Sequence, residues 1–178
     1  GAIYNSKTLK NKLIKKKYKF FTKTFTELAL NFFKEEGINS FNYLNGDWVI
    51  CILDKLKKKL IIAKDSLGTK PIYLYNNGNF LSFCSEIKGF RAFGPLEFNY
   101  NNLGLNQLTI YNFNDTKFEN IKQIKPGSYV EIDLETITFK EKKWFMPLDN
   151  LCTIHPSYEV NKNELKDRIL NSIRLRLD

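Results

Sequence analysis

The chain has 178 residues, 43% of them hydrophobic and 15% aromatic, enough to bury the core of one domain. Its net charge of +9 and pI near 9.3 admit an acidic partner. The lysines, however, fall in Lys10–Lys19 and Lys55–Lys59 without the interleaved arginines and aromatics of a nucleic-acid platform, so they read as solvated faces. No apolar run reaches membrane-spanning length and no signal peptide opens the chain. Three cysteines, Cys51, Cys84 and Cys152, form no Cys-x-x-Cys pair, and with the single His155 they argue against a zinc centre. Cys51 and Cys84 lie inside apolar strands and are expected as buried thiols of a reducing compartment.

Ser6 is placed to cap a helix reaching about Lys17, with Leu9, Leu13 and Ile14 on one face. Tyr18–Thr22 reads as a short strand. Thr24-Phe25-Thr26-Glu27 has the form of a capping box, in which Thr24 accepts from the third helical N–H and Glu27 reaches back. The helix it opens carries Leu28, Ala29, Phe32 and Phe33 inward and ends at Gly37. Between Leu44 and Phe90, four apolar runs (Asp47–Leu53, Leu60–Lys64, Pro71–Tyr75 and Phe80–Cys84) predict consecutive strands. The polar link Lys55–Lys59 joins the first two, and Asn76-Asn77-Gly78-Asn79 supplies an Asn-Gly turn between the last two. The four are expected as one antiparallel meander, closed by a short helix from Ser85.

Arg91–Leu105 reads as loop, Asn106–Tyr111 as a helix end or strand, and Phe118–Ile124 as a strand. Pro126-Gly127 turns the chain into a hairpin of Ser128–Leu134 and Ile137–Lys140. Leu148–Val160 has the look of a linker. A helix from Asn161 or Asn163 then carries Leu165, Ile169, Leu170, Ile173 and Leu177 at helical spacing. Helices and antiparallel strands without βαβ alternation argue for an α+β domain. Asp65 and Lys70 could be read as acid and base. The preferred reading is that Asp65 caps a tight loop, which Gly68 permits and Pro71 leaves. Glu86 suits a helix start, and His155, beside Pro156, is expected to be exposed.

Words in a fixed order along the chain resemble the class II glutamine amidotransferase domain of asparagine synthetase-like enzymes. Gly1-Ala2-Ile3-Tyr4-Asn5 resembles that family's Asn-Gly-Glu-Ile-Tyr-Asn, entered one residue late. Leu44-Asn45-Gly46 before an apolar strand resembles its Leu-Asn-Gly strand. The segment Ala63-Lys64-Asp65-Ser66-Leu67-Gly68-Thr69-Lys70-Pro71 resembles its Ala-Arg-Asp-x-x-Gly-x-Lys-Pro. Phe83-Cys84-Ser85-Glu86-Ile87-Lys88, Ile124-Lys125-Pro126-Gly127-Ser128-Tyr129 and Lys143-Trp144 continue the series. Leu170–Asp178 looks like the first helix of the synthetase domain. By this resemblance residues 1–147 are a partial amidotransferase domain, 148–160 a linker and 161–178 the start of an ATP pyrophosphatase-type synthetase domain. The first residue is Gly and Asp178 ends a helical pattern without a cap, so the domain is expected to be incomplete at both ends.

The resemblance implies an N-terminal-nucleophile sandwich: two antiparallel sheets between helices, in four layers, incomplete at the N-terminus. It implies an N-terminal Cys that attacks the glutamine amide, activated by its own α-amino group. The oxyanion hole is an Asn side chain with the next Gly N–H. Ammonia then passes to a synthetase domain, where ATP with Mg activates a carboxylate, most often that of aspartate. The family setting is cytoplasmic, with the chain's own synthetase domain as partner and a homodimer left open. No nucleic acid or membrane is expected.

In this chain the nucleophile is absent. Gly1 matches the backbone donor, Ala2 stands where the family has a glutamine-contacting Glu, and Phe25 stands where it has the Asp that holds the glutamine ammonium. Losing such a carboxylate partner costs about 2–5 kcal/mol. Two readings follow: a glutamine-hydrolysing domain of an ATP-dependent ligase, or a glutaminase-dead scaffold of the β-lactam synthetase kind.

Overall fold

The computed structural model describes residues 1–93, 99, 116–151 and 154–177. Expectations for the stretch between Phe93 and Thr116, for Cys152 and for Asp178 fall largely outside the described residues. The chain divides into two compact units, one of Asp47–Phe145 with Gly1, the other of Ala2–Gly46 with Met146 onward.

In the second unit, β1 (Ala2–Ile3) leads directly into α1 (Ser6–Lys15). Asn5, rather than Ser6, occupies the N-cap place, and its side chain makes no capping bond. That side chain is spent elsewhere: Nδ2 donates to Tyr43 O at 2.8 Å and Oδ1 accepts from Asn45 N–H at 3.1 Å. Tyr4 N–H adds a bond to Asn45 O at 2.8 Å. The segment entering β2 (Gly46–Asp47) is thereby tied to the start of the unit. On α1, Leu9 and Leu13 are buried, but Ile14 is 50% exposed. Five residues at about 100° each put Ile14 roughly 140° around the helix from Leu9, off the buried stripe.

The helix α2 (Phe25–Glu36) opens at Thr24, whose Oγ1 accepts from Glu27 N–H at 3.3 Å. Glu27 does not return that bond to Thr24. Its carboxylate accepts from Phe21 N–H at 2.8 Å, Thr22 N–H at 2.7 Å and Thr22 Oγ1 at 2.6 Å. These bonds, the Phe21 N–H first, hold its pKa below the ordinary 4.5. Tyr18–Thr22 is therefore no strand. Its donors are turned onto Glu27, and the Tyr18 hydroxyl donates to Glu35 Oε2 at 2.9 Å. Leu28, Ala29 and Phe32 are buried, Phe33 is half-buried, and Gly37 ends the helix at φ 59°.

The first unit holds β3 (Val49–Asp54), β4 (Lys59–Lys64), β5 (Tyr73–Asn76), β6 (Leu81–Cys84), β7 (Ile121–Gln123), β8 (Ser128–Asp133) and β9 (Phe139–Lys143). They form two antiparallel sheets, in the orders β3-β4-β8-β9 and β6-β5-β7. The four runs between Leu44 and Phe90 are thus two hairpins in two sheets, where the sequence pattern suggested one meander. The second neighbour of β4 is β8, and that of β5 is β7. In the first sheet Cys51, Ile62 and Val130 share a row, as do Leu60 and Ile132. Ile62, Val130 and Ile132 pack on Ile72, Leu74 and Ile124 of the second sheet and its flanks. Two sheets meeting through alternating apolar residues make a sandwich, and with the helices the chain is an α+β sandwich.

Cys51 is exposed rather than buried, because β3 is the edge strand of its sheet, and Cys84 is intermediate. The three expected hairpins form. Gly78 has φ 89°, and Asn77 Oδ1 accepts from Asn79 and Phe80 N–H. Between β8 and β9, Asp133 Oδ1 accepts from Glu135 N–H at 2.9 Å and Thr136 N–H at 3.0 Å, while Ile137 holds φ 55°. The last helix, α3 (Tyr158–Leu177), begins at Tyr158 rather than at Asn161 or Asn163 and buries no residue. Asn161 folds back onto its start: Nδ2 donates to His155 O at 2.6 Å and Oδ1 accepts from His155 N–H at 3.1 Å. Among the described residues no helix is long and apolar enough to cross a membrane.

Candidate active site

Gly1 belongs to the sheet unit. A β-carbon there would fall 2.7 Å from Asp47 O and 2.8 Å from Trp48 Cα, so only Gly fits against this strand entry. Gly46, in the helical unit, is held as tightly: a β-carbon there would fall 2.1 Å from Ala2 O. Two words of the family pattern, the opening Gly and the Gly of Leu-Asn-Gly, are therefore explained by close backbone approach. Ala2 lies half-buried on β1.

Phe25 is the first residue of α2 and is 43% exposed. It lines a cleft of about 350 Å³ in the helical unit, with Ser6, Lys7, Lys10, Phe20 and Lys23 among its neighbours. Lys10 Nζ stands 5.0 Å from the Phe20 ring centroid. The lining includes Thr22 and Thr24 but no Asp or Glu. Of the two hydroxyls, Thr24 Oγ1 accepts from Glu27 N–H and Thr22 Oγ1 donates to the Glu27 carboxylate. The cleft is cationic and apolar, the opposite of what an ammonium group needs. In the sequence Lys10 belongs to a lysine run that reads as a solvated helix end, and Lys7, Lys23 and Phe20 carry no motif of their own. The available signal was the three-residue spacing of Lys7 and Lys10, which puts both on one face of α1.

The alternative acid–base pair, Asp65 and Lys70, resolves as framework. Asp65 is 1% exposed. Its Oδ1 accepts from Leu67 N–H at 3.2 Å and Thr69 N–H at 2.9 Å, and its Oδ2 from Trp48 N–H at 3.3 Å and Lys70 N–H at 3.2 Å. A carboxylate holding four backbone donors is a loop anchor. Beside it Lys64, 1% exposed, donates to Ile124 O at 3.3 Å, and burial pushes its pKa below 10.5. Trp144 closes this end: its indole Nε1–H donates to Lys64 O at 3.1 Å and its ring stacks on Trp48 at 5.6 Å. Glu86 pairs with Lys88 at 2.7 Å, and His155 is exposed, with its ring accepting from Ser157 N–H.

The glutamine amidotransferase domain family matches residues 1–145. Asparagine synthetase [glutamine-hydrolyzing] 2 of Bacillus subtilis (strain 168) is 32% identical over 76% of this chain and 19% of its own length. The human asparagine synthetase [glutamine-hydrolyzing] is 25% identical over 99% of the chain and 31% of its own. The chain thus spans about a fifth to a third of these relatives. Among solved structures, the glutamine phosphoribosylpyrophosphate amidotransferase from B. subtilis complexed with ADP and GMP has a TM-score of 0.61 at 20% identity, over 81% of this chain and 28% of that one. The sandwich has the fold of such N-terminal-nucleophile amidotransferases, with two antiparallel sheets joined through one core. With its family words in register and their glycines forced by backbone contact, the chain belongs to the glutamine amidotransferase domain family, as a class II domain of an asparagine synthetase-like protein.

Proposed function

We propose that this domain is the amidotransferase-type half of an ATP-dependent carbon–nitrogen ligase, and that it serves that ligase as a scaffold rather than as a glutaminase. One observation carries this reading. At the first residue of α2 a Phe ring, not a carboxylate, lines a cleft ringed by Lys7, Lys10 and Lys23. An ammonium group entering there would lose water and gain no anion. Ala2 points the same way, since a methyl group offers a substrate no charge. The kept glycines and the Asp65 loop support the fold independently of any ligand.

In this reading the ligase partner is the protein's own synthetase domain, and the carboxylate amidated there is aspartate, as the names of the relatives suggest. ATP and Mg are assigned in this reading to the synthetase domain, where the carboxylate is activated. A glutaminase assay on the intact protein decides the matter. No glutamate release above background is expected, with ammonia alone supporting amide formation. Release of glutamate at ordinary glutamine concentrations would sink the scaffold reading and restore glutamine hydrolysis as the domain's work.

A further inference from the structure

Between residues 2 and 46 the chain carries nine Lys and three Glu. Two of the three, Glu35 and Glu36, are taken by Lys16, and the third, Glu27, is bonded to Phe21 and Thr22. Charge in the cleft beside Phe25 is consequently unbalanced. Among the described residues Lys7 and Lys23 enter no ion pair. Lys10 lies over the Phe20 ring at 5.0 Å and reaches Glu27 only through space. The other side of the cleft is apolar: Phe20, the exposed ring of Phe25 and the buried Leu28. Its volume of about 350 Å³ is that of a small-ligand site.

A cationic rim beside an aromatic floor has a definite complement. An inorganic anion would satisfy the rim and leave the floor wet. An amine would bury apolar surface and meet three ammonium groups of its own sign. Only a molecule with an anionic head and an apolar body gains from both, through Coulomb attraction near a low-dielectric wall and through removal of ring surface from water. We propose that this cleft binds a small organic anion of that type, an aryl or alkyl carboxylate or phosphate. The head lies among Lys7, Lys10 and Lys23, and the body lies against Phe20, Phe25 and Leu28. Such binding does not depend on the scaffold reading and holds whether or not the intact protein hydrolyses glutamine.

The test titrates phenylbutyrate into the isotope-labelled 178-residue chain and follows the backbone amide signals of Lys23, Thr24 and Phe25. Phenylbutylamine and inorganic phosphate are run in parallel. Saturable shifts are expected at millimolar phenylbutyrate, with both controls weaker by about tenfold or more. The double variant Lys7→Glu/Lys23→Glu changes two exposed side chains and should keep its far-ultraviolet circular dichroism while losing about tenfold in affinity. A second variant, Phe25→Asp, leaves the lysines in place and should bring phenylbutyrate binding down by several-fold. Absence of saturable shifts overturns the proposal. So does amine or phosphate binding as tight as that of phenylbutyrate, or undiminished binding by the folded variants.

Discussion

The loop at Asp65 and the helix start at Phe25 treat a carboxylate in opposite ways. At Asp65 the charge is fully buried, and four backbone N–H groups converge on it. At Phe25 no carboxylate is present, and an exposed ring sits among lysines. Both sites are short loops leading into regular structure, and both lie inside the matched family region. The difference lies in what each carboxylate answers to. Asp65 is fixed by the chain's own backbone, which must find partners in any folded state. At position 25 the side chain is exposed at the helix start, and no backbone donor of the fold calls for a carboxylate there.

The sharpest way to break this contrast is Asp65→Ala. Four inward-facing donors would lose their acceptor in a buried loop, so a stability loss of at least about 3 kcal/mol is expected. Urea unfolding followed by Trp fluorescence, with Trp48 and Trp144 close by, measures it. A midpoint shift equivalent to less than about 1 kcal/mol would mean that the loop holds its shape without the side chain. Gly46→Ala comes next. Its β-carbon would fall 2.1 Å from Ala2 O, so β1 and the Asn45 segment must part, at about 2 kcal/mol by the same assay. Unchanged stability there would show that the Leu-Asn-Gly word is kept for another reason. The smallest effect belongs to Phe25→Asp. An acid in the first turn of α2 is favoured by the helix dipole and the lost ring is exposed, so stability should stay within about 0.5 kcal/mol. A large loss would make Phe25 part of the frame and erase the contrast.

Much of the frame was legible in the residues. The apolar runs marked β3 to β6, Asn-Gly marked the β5–β6 turn, and Gly37 marked the end of α2, because each signal is local and tied to backbone dihedrals. How the hairpins share sheets was not legible. An apolar strand shows that it is buried but not which strand lies beside it, and β4 and β5, though consecutive, take β8 and β7 as neighbours. Side-chain bonds over long separations were equally hidden. Asn5 looked like a neighbour of a cap and is a tie to Tyr43 and Asn45. Glu27 looked like half of a capping box and instead gathers the loop before it. The cleft was the least legible part. Its charge emerges only when Lys23, from the loop before α2, joins Lys7 and Lys10 from α1.

Ile137 leaves one more consequence. A β-branched residue at φ 55° sits in a conformation that costs roughly 1–2 kcal/mol, at the turn between β8 and β9. A turn with that cost does not choose where its strands meet. The alignment of Ser128 with Lys143 and of Ile132 with Phe139 is therefore imposed from outside the turn, by the buried row of Val130 and Ile132 and by the Asp133 side chain that gathers the turn's amides. The hairpin closes as a result of the sheet being in place, and its tip is a point where the chain has tolerated tension instead of evolving it away.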